Sequence, residues 1–213
     1  FRRVLFRSQL GIYGACFKIA VVMVMFTQAF RYAYEPFIFA KNKSDDNKKA
    51  YSEAMKYFII FALFIFLGVM FYIDILKYFV GPAYYPGLRV VPIVMLGELF
   101  FGIYFNLSLW YKLIDQTRWG AYFSTIGCVA TVSIILLFGP SYGYMACAWA
   151  SFFCNLLMML LSYFVGQKKF PIEYDLKSAF LYFGVATVLY VAGMALPIQS
   201  EWLRLGYRTI LLG

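Results

Sequence analysis

Residues 57–73 read YFIIFALFIFLGVMFYI, seventeen consecutive positions without a charge. A strand half-buried in a soluble sheet, or one spanning an outer membrane as part of a barrel, alternates apolar and polar residues over about ten positions. This run does not alternate. In hydrocarbon every backbone N–H and C=O must be satisfied within the segment, so an uninterrupted apolar run of this length is a helix.

The same reading extends outward in both directions. Hydrophobic residues make up 63% of the 213, aromatics 22% and charged residues only 14%, against about a quarter charged in soluble domains. Mean hydropathy is +0.74. A span needs about 20 mainly apolar residues, and six complete candidates lie near 11–34, 57–75, 90–111, 120–139, 142–166 and 179–198, with a seventh, cut short, from about 203 to 213. The expected fold class is an all-α, polytopic integral membrane protein.

Composition also bears on chemistry. The chain has no histidine, which removes Ser-His-Asp and Cys-His nucleophilic sites and His-ligated metals together. Cys16, Cys128, Cys147 and Cys154 all fall within spans without metal-ligand spacing, as small apolar residues do. No enzyme activity, cofactor, metal or nucleic-acid partner is expected.

The two ends read differently from the middle. Residues 1–8, FRRVLFRS, are what the codons TTC AGA CGT GTG CTC TTC CGA TCT encode, a string that resembles the end of a sequencing-library adapter. On that reading the protein proper starts near Gln9, and loss of Arg2, Arg3 and Arg7 lowers the net charge from +9 to +6. The other end stops within an apolar run, LRLGYRTILLG. The expectation is therefore an internal piece, residues 9–213, of a longer protein.

Basic residues divide the loops into two sets. One holds Lys41, Lys43, Lys48, Lys49 and Lys56, then Lys112 and Arg118, then Lys168, Lys169 and Lys177; the other holds Lys77, Arg89 and Arg204. This ten-to-three excess places the first set, including loop 41–49, in the cytoplasm. Trp110 and Trp119 flank the cytoplasmic turn, and Tyr84, Tyr85 and Trp202 lie at the outer interface, as headgroup-level anchors do. Asp45 and Asp46, flanked by lysines, read as a solvated face. The spacings Gly11/Ala15 and Gly143/Cys147/Ser151 allow close helix approach, and Pro92 with Gly97 offers a kink in the third span.

A charge at a helix centre costs about 2.5–3.5 kcal/mol on insertion scales, so intramembrane charges are candidates for function. Lys18, Arg31 and Glu98 qualify. Lys18 lies about 10 Å below Gly11, and Glu98 about 12 Å below Val90 at the helical rise, so the two are expected at a common depth. Arg31 lies about 20 Å further along the first helix than Lys18. Glu35 follows one turn later as an i,i+4 partner, and Gln28 shares that side. For Arg31 and Lys18 the alternative is snorkelling to an interface; the shorter Glu98 favours an interior partner or a neutral state.

Five stretches carry a family resemblance: residues 10–40, LGIYGACFKIAVVMVMFTQAFRYAYEPFIFA; 55–81, MKYFIIFALFIFLGVMFYIDILKYFVG; 87–95, GLRVVPIVM; 102–122, GIYFNLSLWYKLIDQTRWGAY; and 142–151, YGYMACAWAS. They resemble polysaccharide or lipopolysaccharide biosynthesis proteins of the multidrug/oligosaccharidyl-lipid/polysaccharide (MOP) exporter superfamily, of the kind found in Bacteroidetes. The resemblance implies fourteen spans in two lobes around a central cavity, with this chain supplying the second lobe. It implies a flippase that moves a lipid-linked oligosaccharide of the polyprenyl-pyrophosphate type across the bacterial cytoplasmic (inner) membrane by alternating access, for O-antigen or other surface polysaccharide. Its partners would be that substrate, membrane lipids and the first lobe. Lys18 and Arg31, with Glu98, Glu35 and Gln28, then become candidate cavity residues beside an anionic pyrophosphate. Two alternatives stand: a drug or cation antiporter of the same superfamily, which wants an acidic cavity, and a membrane enzyme acting on lipid-linked sugars, which wants large outer loops not found here.

Overall fold

A computed structural model describes residues 2–41, 47–195 and 201–212, and among these there are helices and turns but no strand. Nine α-helices follow in order: α1 (Arg2–Lys41), α2 (Asn47–Phe71), α3 (Ile73–Leu76), α4 (Val91–Leu107), α5 (Leu109–Leu113), α6 (Arg118–Tyr142), α7 (Tyr144–Lys169), α8 (Leu176–Ala195) and α9 (Glu201–Leu212), with 3-10 turns at Lys77–Phe79 and Pro82–Val90. Six segments are long and apolar enough to cross a membrane: Gly11–Ile38, Lys48–Phe71, Pro82–Leu113, Arg118–Tyr142, Tyr144–Lys169 and Leu176–Met194. The protein is thus a multi-pass, all-helical membrane protein.

Several boundaries differ from expectation, for identifiable reasons. The second span begins at Lys48 rather than near 57, because the lysine-bearing turns before the apolar run are themselves helical. The third begins at Pro82 rather than near 90, since the segment 82–90 winds as a 3-10 helix straight into α4. Pro92 sits in the first turn of α4, where a missing N–H costs nothing. The break in this span falls instead at Ser108, between α4 and α5, where the Ser108 hydroxyl donates to the Phe105 carbonyl at 2.7 Å. α1 runs unbroken from Arg2 through the residues read as an adapter. Lys43, Asp45, Asp46 and the side chains of Trp202 and Arg204 lie outside the described residues.

The core is the junction of α1, α2 and α4, filled by Met23, Phe58, Val94, Met95 and Leu99, each at most 1% exposed. α7 packs along α4, α6 rests on α7, and α8 lies against α2. Without a hydrophobic driving force between helices in lipid, close packing and interhelical hydrogen bonds carry this association. A methyl placed on Gly97 would meet the Phe152 backbone Cα at 3.3 Å, and there the Asn155 side-chain amide donates to the Gly97 carbonyl at 3.1 Å. Gly102 admits the Phe58 ring in the same way. Gly11 does not act so, since a methyl there meets nothing within 4 Å. Gly143 makes the α6–α7 corner with φ 55° and ψ −130°, a conformation open to glycine.

The two loop sets fall at opposite ends of the bundle. At one end the Ser52 hydroxyl donates to the Glu173 carbonyl at 2.8 Å, Lys48 lies 5.0 Å from the Phe170 ring centre, and Lys169 lies 5.3 Å from that of Trp119. At the other the Tyr144 hydroxyl donates to the Pro86 carbonyl at 3.4 Å, and the Cys16 thiol to that of Tyr84 at 3.5 Å. The lysine-rich loops thus share one face of the bundle.

Candidate functional site

Residues exposed on α1 recur as Gly11, Gly14, Lys18, Val22, Met25, Ala29 and Tyr32. That is one helical stripe, turned away from α2 and α4. Lys18 is the charge on it, seven residues inside the span Gly11–Ile38, and forms no ion pair with Glu98. Gly87 approaches Ile12 and Cys16, while Gly102 approaches Thr27, so α1 and the third span run side by side in the same direction, but Lys18 is exposed on the stripe that faces away from α4. Glu98 is half-buried on α4, on the side towards Tyr13 of α1.

The second polar group of α1 is rotated away from Lys18. Gln28, Arg31 and Glu35 are each half-buried, and at 100° per residue Arg31 stands about 140° around the helix from Lys18. The Arg31 Nε donates to Glu35 Oε1 at 3.2 Å, and its guanidinium lies 4.4 Å from the Phe105 ring centre. Glu35 Oε1 also takes a 2.5 Å contact from Lys112 Nζ on α5. One carboxylate therefore joins two cations across the inner ends of α1 and α5, with a net charge of +1. Beside it a cavity about the size of one water is lined by Thr27, Arg31, Glu35 and Asn106 among others. The Thr27 hydroxyl is 4% exposed and has no partner in it.

Lys18 and the Arg31 group are therefore two separate sites. Lys18 stands near the outer half on an open face; Arg31, Glu35 and Lys112 form a closed cluster about 20 Å further in. Sequence reasoning reached the i,i+4 pair but placed Lys112 only in a loop. The signal that was available is the aromatic and hydroxyl run before it, NLSLWYK, whose break at Ser108 turns Lys112 back towards α1.

A further buried cation was missed altogether. Arg208 of α9 is 4% exposed. Its Nε donates to the Gly193 carbonyl at 3.1 Å, and Nη1 donates to the Phe71 carbonyl at 3.0 Å and to Asp74 Oδ2 at 2.9 Å. These carbonyls belong to the last turns of α8 and α2, where a helix presents unsatisfied acceptors and the negative end of its dipole. Arg208 fastens three helices at the end of the bundle away from the lysine-rich loops. No sequence pattern announced it, because two of its acceptors are backbone carbonyls and the third, Asp74, is far off in sequence.

A scan against protein-family models found no match to this chain, and searches of the curated proteins and of the solved structures found none either.

Proposed function

We propose that the protein is a membrane transporter of the flippase kind, which carries a lipid-linked oligosaccharide with a pyrophosphate head from the inner to the outer leaflet. The observation that carries this reading is Lys18, a cation seven residues inside the first span, on an exposed and otherwise uncharged stripe of α1, with no carboxylate paired to it among the described residues. A lysine facing hydrocarbon is costly, whereas one facing an aqueous cavity gains an anionic ligand. The sequence resemblance to polysaccharide exporters supplies the class of anion. In this reading the cavity is completed by a first lobe against the α1 stripe, and the membrane is the bacterial cytoplasmic one.

The division of the cations supports a stepwise path. The Arg31–Glu35–Lys112 cluster, near the lysine-rich end, offers a net positive charge at entry, and Lys18 offers the next station outward. A diphosphate withdrawn from water needs such cationic partners at each stage. An inside-negative potential favours the outward step by about 2.3 kcal/mol per charge per 100 mV.

The test is complementation of a polysaccharide-export null strain by the full-length transporter. Lys18→Ala is expected to lose export with near-normal abundance in the membrane, because Lys18 holds no structural contact. Arg31→Ala is expected to lose export and to lower abundance, because it also removes one of the two cations that hold Glu35. Normal export by Lys18→Ala removes the reading. A cation antiporter is the second reading, favoured by the half-buried Glu98 without a cationic partner; it requires Glu98→Gln to abolish export while Lys18→Ala leaves it intact.

A further inference from the structure

A second cavity among the described residues, of about 650 Å³, is separate from the α1 stripe. It is a lateral crevice with α2 and α4 as its floor and α7 and α8 as its walls. The floor residues Met55, Ile59, Ile103 and Leu107 are buried, each 5–7% exposed. The wall residues Leu160, Phe164, Leu176 and Phe180 are 39–76% exposed. The crevice is therefore open sideways, between α7 and α8.

Its length and polarity are both defined. Along each of its four helices the lining spans eight or nine residues: 52–59 on α2, 100–107 on α4, 156–164 on α7 and 176–183 on α8. At 1.5 Å per residue that is about 10–12 Å, most of the roughly 15 Å depth of one leaflet's hydrocarbon. The stacked rings of Phe100 and Phe183, 6.0 Å apart, join α4 to α8 at the deep end. The charged groups of the lining, Lys56 and Asp175, and the Ser52 hydroxyl lie on the side of the lysine-rich loops, while Tyr163, Tyr174 and Tyr182 add their rings and hydroxyls to the walls.

We infer that this crevice binds the hydrocarbon of an anionic glycerophospholipid of the cytoplasmic leaflet, with its phosphate at Lys56. The length matches one leaflet, the walls open to the bilayer, and the charge at the mouth selects the head. Asp175 keeps its negative charge while capping α8, accepting from the Ser178 amide at 3.1 Å and from the Ser178 hydroxyl, and the two lysines beside it leave the mouth positive. Lys56, half-buried with Nζ 6.0 Å from the Tyr182 ring centre, and Lys177 both stand near Asp175 at the mouth. Lys48 and Lys49 in the first turn of α2 add to the positive field there. The inference is independent of the transported substrate.

The test is photolabelling of the 213-residue chain in nanodiscs of phosphatidylcholine containing a trace of phosphatidylglycerol with a mid-chain diazirine, read by peptide mapping. Label is expected on the α7 and α8 wall peptides, 156–164 and 176–183, in preference to the lipid-facing residues 129–138 of α6. Ala179→Trp, which fills the crevice, is expected to abolish that preference; Leu160→Trp at the rim gives a second filling variant should the first fail to fold. Lys56→Gln is expected to weaken competition by unlabelled phosphatidylglycerol about fivefold, the effect of one lysine at an anionic surface, and to leave competition by phosphatidylcholine unchanged. Even labelling of α6 and the crevice overturns the inference. So does undiminished wall labelling in both filling variants, or equal competition by the two lipids in the wild type. Displacement of the label by a polyprenyl phosphate in preference to phosphatidylglycerol would assign the crevice to a different lipid and equally refute it.

Discussion

Arg208→Met tests how far the outer end of the bundle depends on one side chain. The substitution keeps an unbranched apolar stem, so the loss is confined to the guanidinium and its partners. Three charge-assisted hydrogen bonds go, to Gly193, Phe71 and Asp74, each worth about 1.5–3 kcal/mol where the freed group stays dry. Asp74 is 26% exposed and keeps Lys77 Nζ at 3.9 Å, so its share is at the low end. The two helix-terminal carbonyls have a second lone pair and partial access to the interface, which lowers their share too. Together these place the loss at about 3 kcal/mol, within the 3–5 kcal/mol range for breaking a buried pair. Asp74→Asn retains a carbonyl acceptor for Nη1 and is expected to cost only about 1 kcal/mol. The two changes share one contact, so the double variant is expected to fall short of their sum. Equilibrium unfolding in mixed micelles by an SDS titration measures each. A loss below about 1 kcal/mol for Arg208→Met, or strict additivity with Asp74→Asn, refutes the view that α9 is fastened through this cation.

Three further outcomes follow from the same geometry. Glu35→Gln is expected to destabilise the same unfolding transition by about 2 kcal/mol, since it leaves Arg31 and Lys112 facing each other across a neutral amide; a double variant with Lys112→Met should recover part of it. Gly143→Ala is expected to cost about 1–3 kcal/mol through backbone strain at φ 55° and ψ −130°, read as a lowered melting temperature, whereas Gly11→Ala should be silent. The bonds from Ser178 hold the Asp175 carboxyl below the ordinary aspartate value, so its capping contribution is complete above that value and is lost only as pH falls through the lower native one. The protection factors of the first-turn amides of α8, taken relative to the intrinsic exchange rate at each pH, should therefore fall on acidification below about pH 4, and Asp175→Asn should remove that fall.

The class of the fold was legible from residues 57–73 alone, because hydrocarbon leaves the backbone a single solution for so long an apolar run. The ends of the helices were not. Lys48 and Lys49 look like loop when hydropathy is the criterion, yet a helix that leaves the bilayer gains by continuing for two turns with its lysines in water. The third span was misjudged for a related reason: GPAYYPG carries turn residues, and a 3-10 stretch accommodates both prolines without breaking the axis. Spacing recognised the Arg31–Glu35 pair, since i,i+4 geometry is local. Lys112 and Arg208 are long-range partners, set by how α5 turns after Ser108 and where α9 docks, and no periodicity encodes either.

The ionisable groups of the spans fall into two populations. Arg31, Glu35, Lys112, Asp74, Lys77 and Arg208 are paired and lie where helices end, so their insertion cost is offset by partners within the protein and by proximity to water. Among the described residues Lys18 and Glu98 have no ion-pair partner, and they occupy different helix faces. An unpaired charge within a span carries an insertion cost. On the proposed reading Lys18 gains its partner in the transported anion. For Lys18 the open stripe of α1 gives that partner access, which is why the transport assay on Lys18→Ala separates a working cation from an accident of sequence more sharply than any substitution in the paired clusters.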